Sequence, residues 1–493
     1  MKAIKKLTGE TVIYGMPSII GRFLNWWLNP YWTYVFLNQA EVGSIINIYA
    51  YVAFLFVMLT YGMETGFFRF ATKEGDSKNV FSTTMLSLLF TSFSFVLAVF
   101  IFKNDIAAAL DIAKNPEFVT IMGVTIALDV LSTIPFAKLR LQHRPMRFAM
   151  IKFINIGVNI SFNLIFLSLF PAIAKAFPNG FINTIYDPEF GIGYVFLANL
   201  ISSVVTMFLL IPELKEKYSF DVTLWKKILT YSFPIFIVGV TGMINQNIDK
   251  ILLPELLPAS EEPLKQLGIY GVAFKMAVLL NMFIQAFRFA FEPFFFSQKA
   301  GGDSKKMYSI IMKYFIIIGL IIFLGMSTFI DLFMKINASQ YREAVGIVPI
   351  VLMANLFMGI YFNLSLWYKI TDNTKYGAYQ GILGSIVTIA INIIFIPTIG
   401  YYASAIAILA CFVVMTIMSY IKGNQIFPVD YDLKNFAFYL VVSLILFGFY
   451  WYFRETDSPK YWLAALVNII FICIIVFKEK REFLKIFATS NEN

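Results

Sequence analysis

Two groups of polar side chains stand in apolar stretches that have no ordinary use for them. Ser18, Arg22, Asn25 and Asn29 recur at i, i+4, i+7 and i+11. Asn281, Gln285, Arg288 and Glu292 repeat that spacing within Gly268–Phe296, which also carries Lys275. On a helix this spacing draws one stripe. A charged group at the centre of a bilayer costs at least ~2.5–3.5 kcal/mol, so such a stripe should face protein or a wet cavity rather than lipid. Fixed cations beside amides, with few acids, suit phosphate or diphosphate, because a guanidinium grips phosphate through paired hydrogen bonds. The amides suit sugar hydroxyls. A structural use is open for each charge: Arg22 in a buried ion pair with Asp129, and Arg288 paired with Glu292 one turn on or reaching to an interface. Lys275 lies nearer the outer side than Arg288 and on another face, so at most one of them points into a given cavity.

The elements that must position these groups follow from composition. Of 493 residues, 59% are hydrophobic and 14% charged, against about 25% charged in soluble proteins. The chain therefore reads as an all-α polytopic membrane protein. Apolar runs place about fourteen spans, the first near 11–36, the second near 42–66, the eighth near 268–297 and the last near 461–477. The first run is too long for a signal peptide's apolar region and holds Arg22, so it reads as a retained span. Assigning Lys and Arg to alternate connections gives about 26 on the side of both termini and 9 on the other, with four inside spans. The positive-inside rule then puts both termini in the cytoplasm. The +9 formal charge is accounted for by those loops, so no nucleic-acid partner is implied. One histidine and two distant cysteines cannot build a metal site, and the chain has no phosphate-binding P-loop motif.

The chain also repeats itself. Tyr14-Gly15-Met16-Pro17 is echoed by Tyr231-Ser232-Phe233-Pro234. Glu64, followed by Phe67-Phe68 and Gly75-Asp76-Ser77-Lys78, is echoed by Glu292, followed by Phe294-Phe295-Phe296 and Gly302-Asp303-Ser304-Lys305. Six spans separate the copies, so the repeats are parallel. Two six-helix lobes, 1–217 and 218–425, are expected, with 426–493 as two extra helices and a basic tail. Weaker stripes lie at Lys152, Asn155, Asn159 and Asn163, at Thr125, Asp129 and Ser132, and at Thr241, Asn245 and Asp249. These fit hydrogen-bonded packing between helices. Glu64, Arg69, Asp129 and Glu292 are the candidates for gating, or for coupling to an ion or proton. No other cofactor is expected.

Gly62-Met63-Glu64-Thr65-Gly66-Phe67-Phe68-Arg69-Phe70 resembles the end of the second span of bacterial polysaccharide biosynthesis flippases. Ile391-Asn392-Ile393-Ile394-Phe395-Ile396-Pro397, running into Gly400 and Ala403 to Ala407, resembles their junction of spans eleven and twelve. The resemblance runs from Tyr14 to about Tyr420. It is to the multidrug, oligosaccharidyl-lipid and polysaccharide flippase superfamily, in its Wzx-type O-antigen branch. It implies two lobes around a V-shaped cavity, two extra helices, and a location in the bacterial inner membrane. It further implies transfer of an undecaprenyl-diphosphate-linked oligosaccharide from the cytoplasmic to the periplasmic leaflet, among other polysaccharide-assembly membrane proteins. Family arginines in spans one and eight match Arg22 and Arg288 or Lys275. A span-two arginine of some relatives is not matched, since Arg69 lies at that span's end and its middle holds Asn47 and Tyr51. A cation-coupled multidrug antiporter, using Asp129, Glu64 or Glu292, is the competing expectation. A membrane enzyme is not expected, because the short outer loops gather no convergent acids or bases.

Overall fold

The computed structural model describes the backbone of residues 2–73, 77–297, 302–371, 373–455 and 459–490. It describes the side chains of 19–72, 77–288, 291, 305–371, 373–455 and 459–480. Regular structure among these residues is helical throughout, as hydrocarbon requires: a helix satisfies its own backbone N–H and C=O groups where no water can. Twelve helical segments among the described residues are long and apolar enough to cross a membrane, and a bent pair makes a thirteenth. With the amino-terminal helix α1 (Lys2–Val35), segments stand at the fourteen expected places.

Packing divides the chain into two compact units, 1–268 and 269–493. The first begins with α1, then α2 (Gln39–Thr60) and α3 (Met63–Lys73), the halves of the second span. They part at Tyr61 and Gly62, whose φ values are 30° and 73°. A Cβ on Gly62 would meet the Ser232 carbonyl oxygen at 2.8 Å, so conformation and contact both require glycine there. Next come α4 (Ser77–Ala109), α5 (Glu117–Leu141), α6 (Pro145–Leu164), α7 (Gly193–Leu214) and α8 (Val222–Asn247). The Asp221 side chain starts α8 by accepting from the Thr223 and Leu224 N–H groups, an ordinary N-cap. Those donors, Leu224 foremost, hold its carboxyl below the usual carboxylate range. Leu224 and Ile228 of α8 join the core built on Met63, Phe67, Phe81 and Leu88. The seventh span therefore packs within this unit, although the second copy of the sequence repeat begins just before it.

The eighth span consists of α9 (Pro263–Met276), which crosses the boundary between units, and α10 (Val278–Ser297). The second unit continues with α11 (Gly302–Thr328), α12 (Ile347–Leu364), α13 (Lys375–Ile399), α14 (Tyr401–Ile426), α15 (Leu433–Tyr452) and α16 (Tyr461–Ser490). The expectation of one continuous helix through Gly268–Phe296 is corrected: α9 and α10 meet at a 42° bend. Neither glycine nor proline marks Ala277. A distant residue supports the break: Asn355 of α12, whose Nδ2 donates to the Ala277 carbonyl at 3.0 Å, beside the 3.2 Å bond that this carbonyl accepts from the Leu280 N–H. Side-chain hydrogen bonds to backbone groups at a break make it tolerable at membrane depth.

The last two helices are fastened to α11 and the turn after it. Arg454 holds Asp331 through two bonds of 2.9 and 2.5 Å. Asn468 Nδ2 donates to Thr328 Oγ1 at 2.8 Å. Lys313 Nζ lies 2.6 Å from Glu479, which also accepts from the Tyr439 hydroxyl at 2.6 Å. Removing one partner of a buried pair leaves an uncompensated charge, costing ~3–5 kcal/mol, whereas replacing both by apolar groups is often neutral. Lys313→Met should therefore lower the thermal unfolding midpoint clearly, and Lys313→Met with Glu479→Leu should recover most of the loss. Unfolding monitored in detergent micelles checks this, and a double variant no better than the single would refute the pairing.

Candidate functional site

Three helices of the first unit turn polar faces to one cavity of about 390 Å³. Helix α5 contributes Asp129, Ser132, Thr133, Phe136 and Arg140, at i, i+3, i+4, i+7 and i+11. From α6 come Phe148, Lys152 and Asn155. The face of α7 carries Asn199, Ser202, Ser203 and Thr206, while Phe56 of α2 and Glu64 of α3 complete the wall. These intervals each hold one face of a helix, so three ordinary amphipathic stripes converge on a common space.

The wall is knitted by hydrogen bonds between helices. Ser203 Oγ donates to Asp129 Oδ1 at 2.7 Å. Asn155 Nδ2 donates to Thr206 Oγ1 at 2.8 Å and to the Ser202 carbonyl at 3.2 Å. Asn159 Nδ2 reaches Asn199 Oδ1 at 2.9 Å. Lys152 Nζ stands 4.1 Å above the Phe136 ring, a cation–π contact. Arg140 pairs with Glu64 and lies over the Phe68 ring. At the far end of α5 and α7, buried Glu213 binds Arg147 at 2.7 Å and Arg144 at 3.3 Å. Lys138 binds Glu216 at 2.9 Å, and that ammonium holds the Glu216 carboxyl below its usual range. The basic segment 138–147 thus finds partners on α3, on α7 and just beyond it.

The predicted residues are distributed as follows. Glu64 and Asp129 share the cavity with Lys152. Asp129 accepts from the Ser203 hydroxyl. Arg22 and Asn25 are exposed on α1, whereas Asn29 is fully buried. The side chain of Ser18 lies outside the described residues, as does that of Glu292. Arg69 is exposed and stacks on the Tyr231 ring at 4.6 Å. On α10, Gln285 Nε2 donates to Asn281 Oδ1 at 3.0 Å, and the Arg288 guanidinium stacks 4.5 Å over the Phe362 ring of α12. Lys275 sits on α9, across the break from these three. The four α7 residues are absent from the set expected from sequence, although their i, i+3, i+4, i+7 spacing on an otherwise apolar span marks them as a stripe.

A second cavity, about 190 Å³ and mostly apolar, lies among α11, α12, α14 and α15 in the second unit. Phe357, Ile360, Leu364 and Phe436 line it, with Lys313 at its wall.

No family model matches this chain, and no curated protein matches its sequence. Solved structures do match its fold. The lipid II flippase MurJ in an inward closed conformation is 17% identical, with 95% of this chain and 99% of that one covered and a TM-score of 0.72. An inward-facing multidrug resistance MATE family transporter of the MOP superfamily is 13% identical, with 84% and 94% covered and a TM-score of 0.62. A MOP superfamily transporter from Pyrococcus furiosus is 15% identical, with 85% and 95% covered and a TM-score of 0.53. The chain shares the all-helical fold of these transporters over most of its length.

Asp129 and Lys152, of opposite charge, line the same cavity. Asp129→Asn and Lys152→Met should each cost on the order of 1–3 kcal/mol, and the double variant less than their sum. A double-mutant cycle on the thermal unfolding midpoint checks this. Strict additivity would show that the two groups do not interact.

Proposed function

We propose that the chain is a flippase for an undecaprenyl-diphosphate-linked oligosaccharide, an O-antigen or other surface polysaccharide unit. It moves this cargo from the cytoplasmic to the periplasmic leaflet of the bacterial inner membrane by alternating access, and is not an enzyme. Both termini lie in the cytoplasm, and the lobes 1–217 and 218–425 carry the motion with 426–493 as an appendage. The observation that carries this reading is a cation within a span of each lobe: Arg22, exposed on α1, and Arg288 on α10. The fold shared with a lipid II flippase supports it. So does the presence of both a polar and an apolar cavity, since the cargo joins a glycan to a long hydrocarbon. Arg22 with Asn25 and Asn29, and Arg288 or Lys275 with Asn281 and Gln285, are the proposed contacts to diphosphate and sugar. Glu64, Arg69, Asp129 and Glu292 are proposed for gating or coupling.

A second reading, a cation-coupled multidrug antiporter, is favoured by one feature. Asp129 lines a polar cavity, as a residue that exchanges a proton or sodium for cargo would.

Loss of one charge-assisted contact, worth ~1.5–3 kcal/mol, weakens binding by about tenfold or more. In a flippase-deficient strain, Arg22→Ala and Arg288→Ala should each reduce surface polysaccharide strongly, with partial recovery by Lys at either position. Full complementation by both alanine variants overturns the proposed contacts, and no complementation by the unaltered chain overturns the flippase reading. Ion-driven drug efflux that vanishes in Asp129→Asn favours the antiporter.

A further inference from the structure

We propose that the polar cavity enclosed by α5, α6 and α7 is a subsite for a single sugar ring of the cargo. The inference rests on the reading of the chain as a carrier of a lipid-linked glycan and adds where within the first unit one ring is held.

The hydrogens of the cavity wall decide what it can bind. Each hydroxyl has one proton to donate and two lone pairs. Here those protons are already committed. Ser132 donates to the Leu128 carbonyl at 2.8 Å and Thr133 to the Val130 carbonyl at 2.6 Å. Ser202 donates to the Asn199 carbonyl at 2.8 Å, Thr206 to the Ser202 carbonyl at 2.8 Å, and Ser203 to Asp129. Asn155 makes its two amide bonds to Ser202 and Thr206, which leaves its carbonyl oxygen as acceptor. Asp129 keeps a second carboxylate oxygen beyond the one that Ser203 fills. The wall is therefore rich in acceptors. The wall's cations are the Lys152 ammonium, which is not taken up by a hydrogen bond and contacts the face of Phe136, and the Arg140 guanidinium, which pairs with Glu64.

Such a wall selects its ligand. It wants many donors, an apolar face and one acceptor or anionic group. A bare metal cation meets the acceptors but also the Lys152 charge. A lipophilic drug cation meets that charge as well and would strip water from the acceptors without replacing it, which is costly for buried polar groups. A pyranose ring carries several hydroxyl donors and an apolar ring face to lay on Phe136, Phe148 or Phe56. Its ring oxygen, or a carboxylate on an acidic sugar, can accept from Lys152. At about 390 Å³ the cavity sits near the lower end of the ~300–1,000 Å³ range of small-ligand pockets, so it takes one ring and not a chain.

The test needs no transport. The purified full chain in nanodiscs is mixed with methyl glycosides, namely a neutral hexoside, an N-acetylhexosaminide and a hexuronide. Saturation-transfer NMR then reads binding. Transfer to at least one glycoside is expected. It should fall about tenfold in Ser132→Leu, which fills the cavity from α5, and in Lys152→Met, which should weaken the hexuronide more than the neutral sugar. If Lys152→Met does not fold, Lys152→Met with Asp129→Asn serves in its place, and circular dichroism confirms helix content in each variant. No transfer to any glycoside overturns the proposal. So does displacement of a bound glycoside by sodium or by a cationic drug, which would assign the cavity to an ion or drug. Absent glycoside binding, with surface polysaccharide still lost in Arg22→Ala, removes the subsite alone. Glycoside binding, with no complementation of the flippase-deficient strain by the unaltered chain, removes the flippase reading and leaves a sugar site.

Discussion

Hydrocarbon offers no hydrogen-bond partner, and most of this molecule can be understood from that. A polar group left unsatisfied at membrane depth costs several kcal/mol, whereas a hydrogen bond between spanning helices returns only ~0.6 to 2 kcal/mol. The penalty outweighs the return, so polar side chains are placed where they avoid it. Isolated ones should be rare, and those present should gather. In the first unit they gather on the facing stripes of α5, α6 and α7. In the second they gather along α11 and the turn after it, where Lys313, Thr328 and Asp331 each meet a residue from 439–479. Even the bend of the eighth span obeys the rule, because Asn355 attends to the carbonyl at the break.

The two gatherings differ in a way that separates structure from function. Beside α11 the charges close on one another: Arg454 with Asp331 in a two-bond fork, Lys313 with Glu479 and its tyrosine. Such fully paired groups have little left to offer a ligand, and their effect is to fix where α15 and α16 sit. Around the α5–α6–α7 cavity the acid and the amine stand in one space, yet each turns to another neighbour: Asp129 to Ser203 and Lys152 to an aromatic face. Capacity for hydrogen bonding is left over there, and it lines an opening large enough to fill. Leftover capacity beside empty space is the mark of a binding site more than the mere presence of charge.

How far the sequence reveals all this depends on whether the cause is local. Hydropathy is local, so the spans stand nearly where apolar runs place them. Stripes are local too: Lys152 and Asn155 on α6, and Asp129 and Ser132 on α5, are legible as faces. That those faces meet each other, and meet Ser203 and Thr206, depends on how three helices are packed. One helix at a time, Asn and Ser look like packing aids. The bend at Ala277 is invisible in its own stretch because its support lies 78 residues on, in Asn355. By contrast the break at Tyr61-Gly62 carries a local sign, a glycine at positive φ. Asn29 shares a stripe with Arg22 and Asn25 but is fully buried where they are exposed, since a stripe gives direction without saying how far a neighbour covers it.

The bend also bears on the choice between the two cations of the eighth span. Lys275 lies in the last turn of α9, where the carbonyl end of a helix carries a partial negative charge that a cation offsets by ~0.3–1 kcal/mol. A break at membrane depth creates such an end where water cannot solvate it, so a lysine there has a structural task. Arg288 has no such task, being eleven residues past Ala277 and well inside α10. Its guanidinium carbon lies 4.5 Å from the centre of the Phe362 ring, and a guanidinium binds phosphate through N–H groups that point outward in its plane. On this ground Arg288 is preferred to Lys275 as the eighth span's proposed contact for an anion.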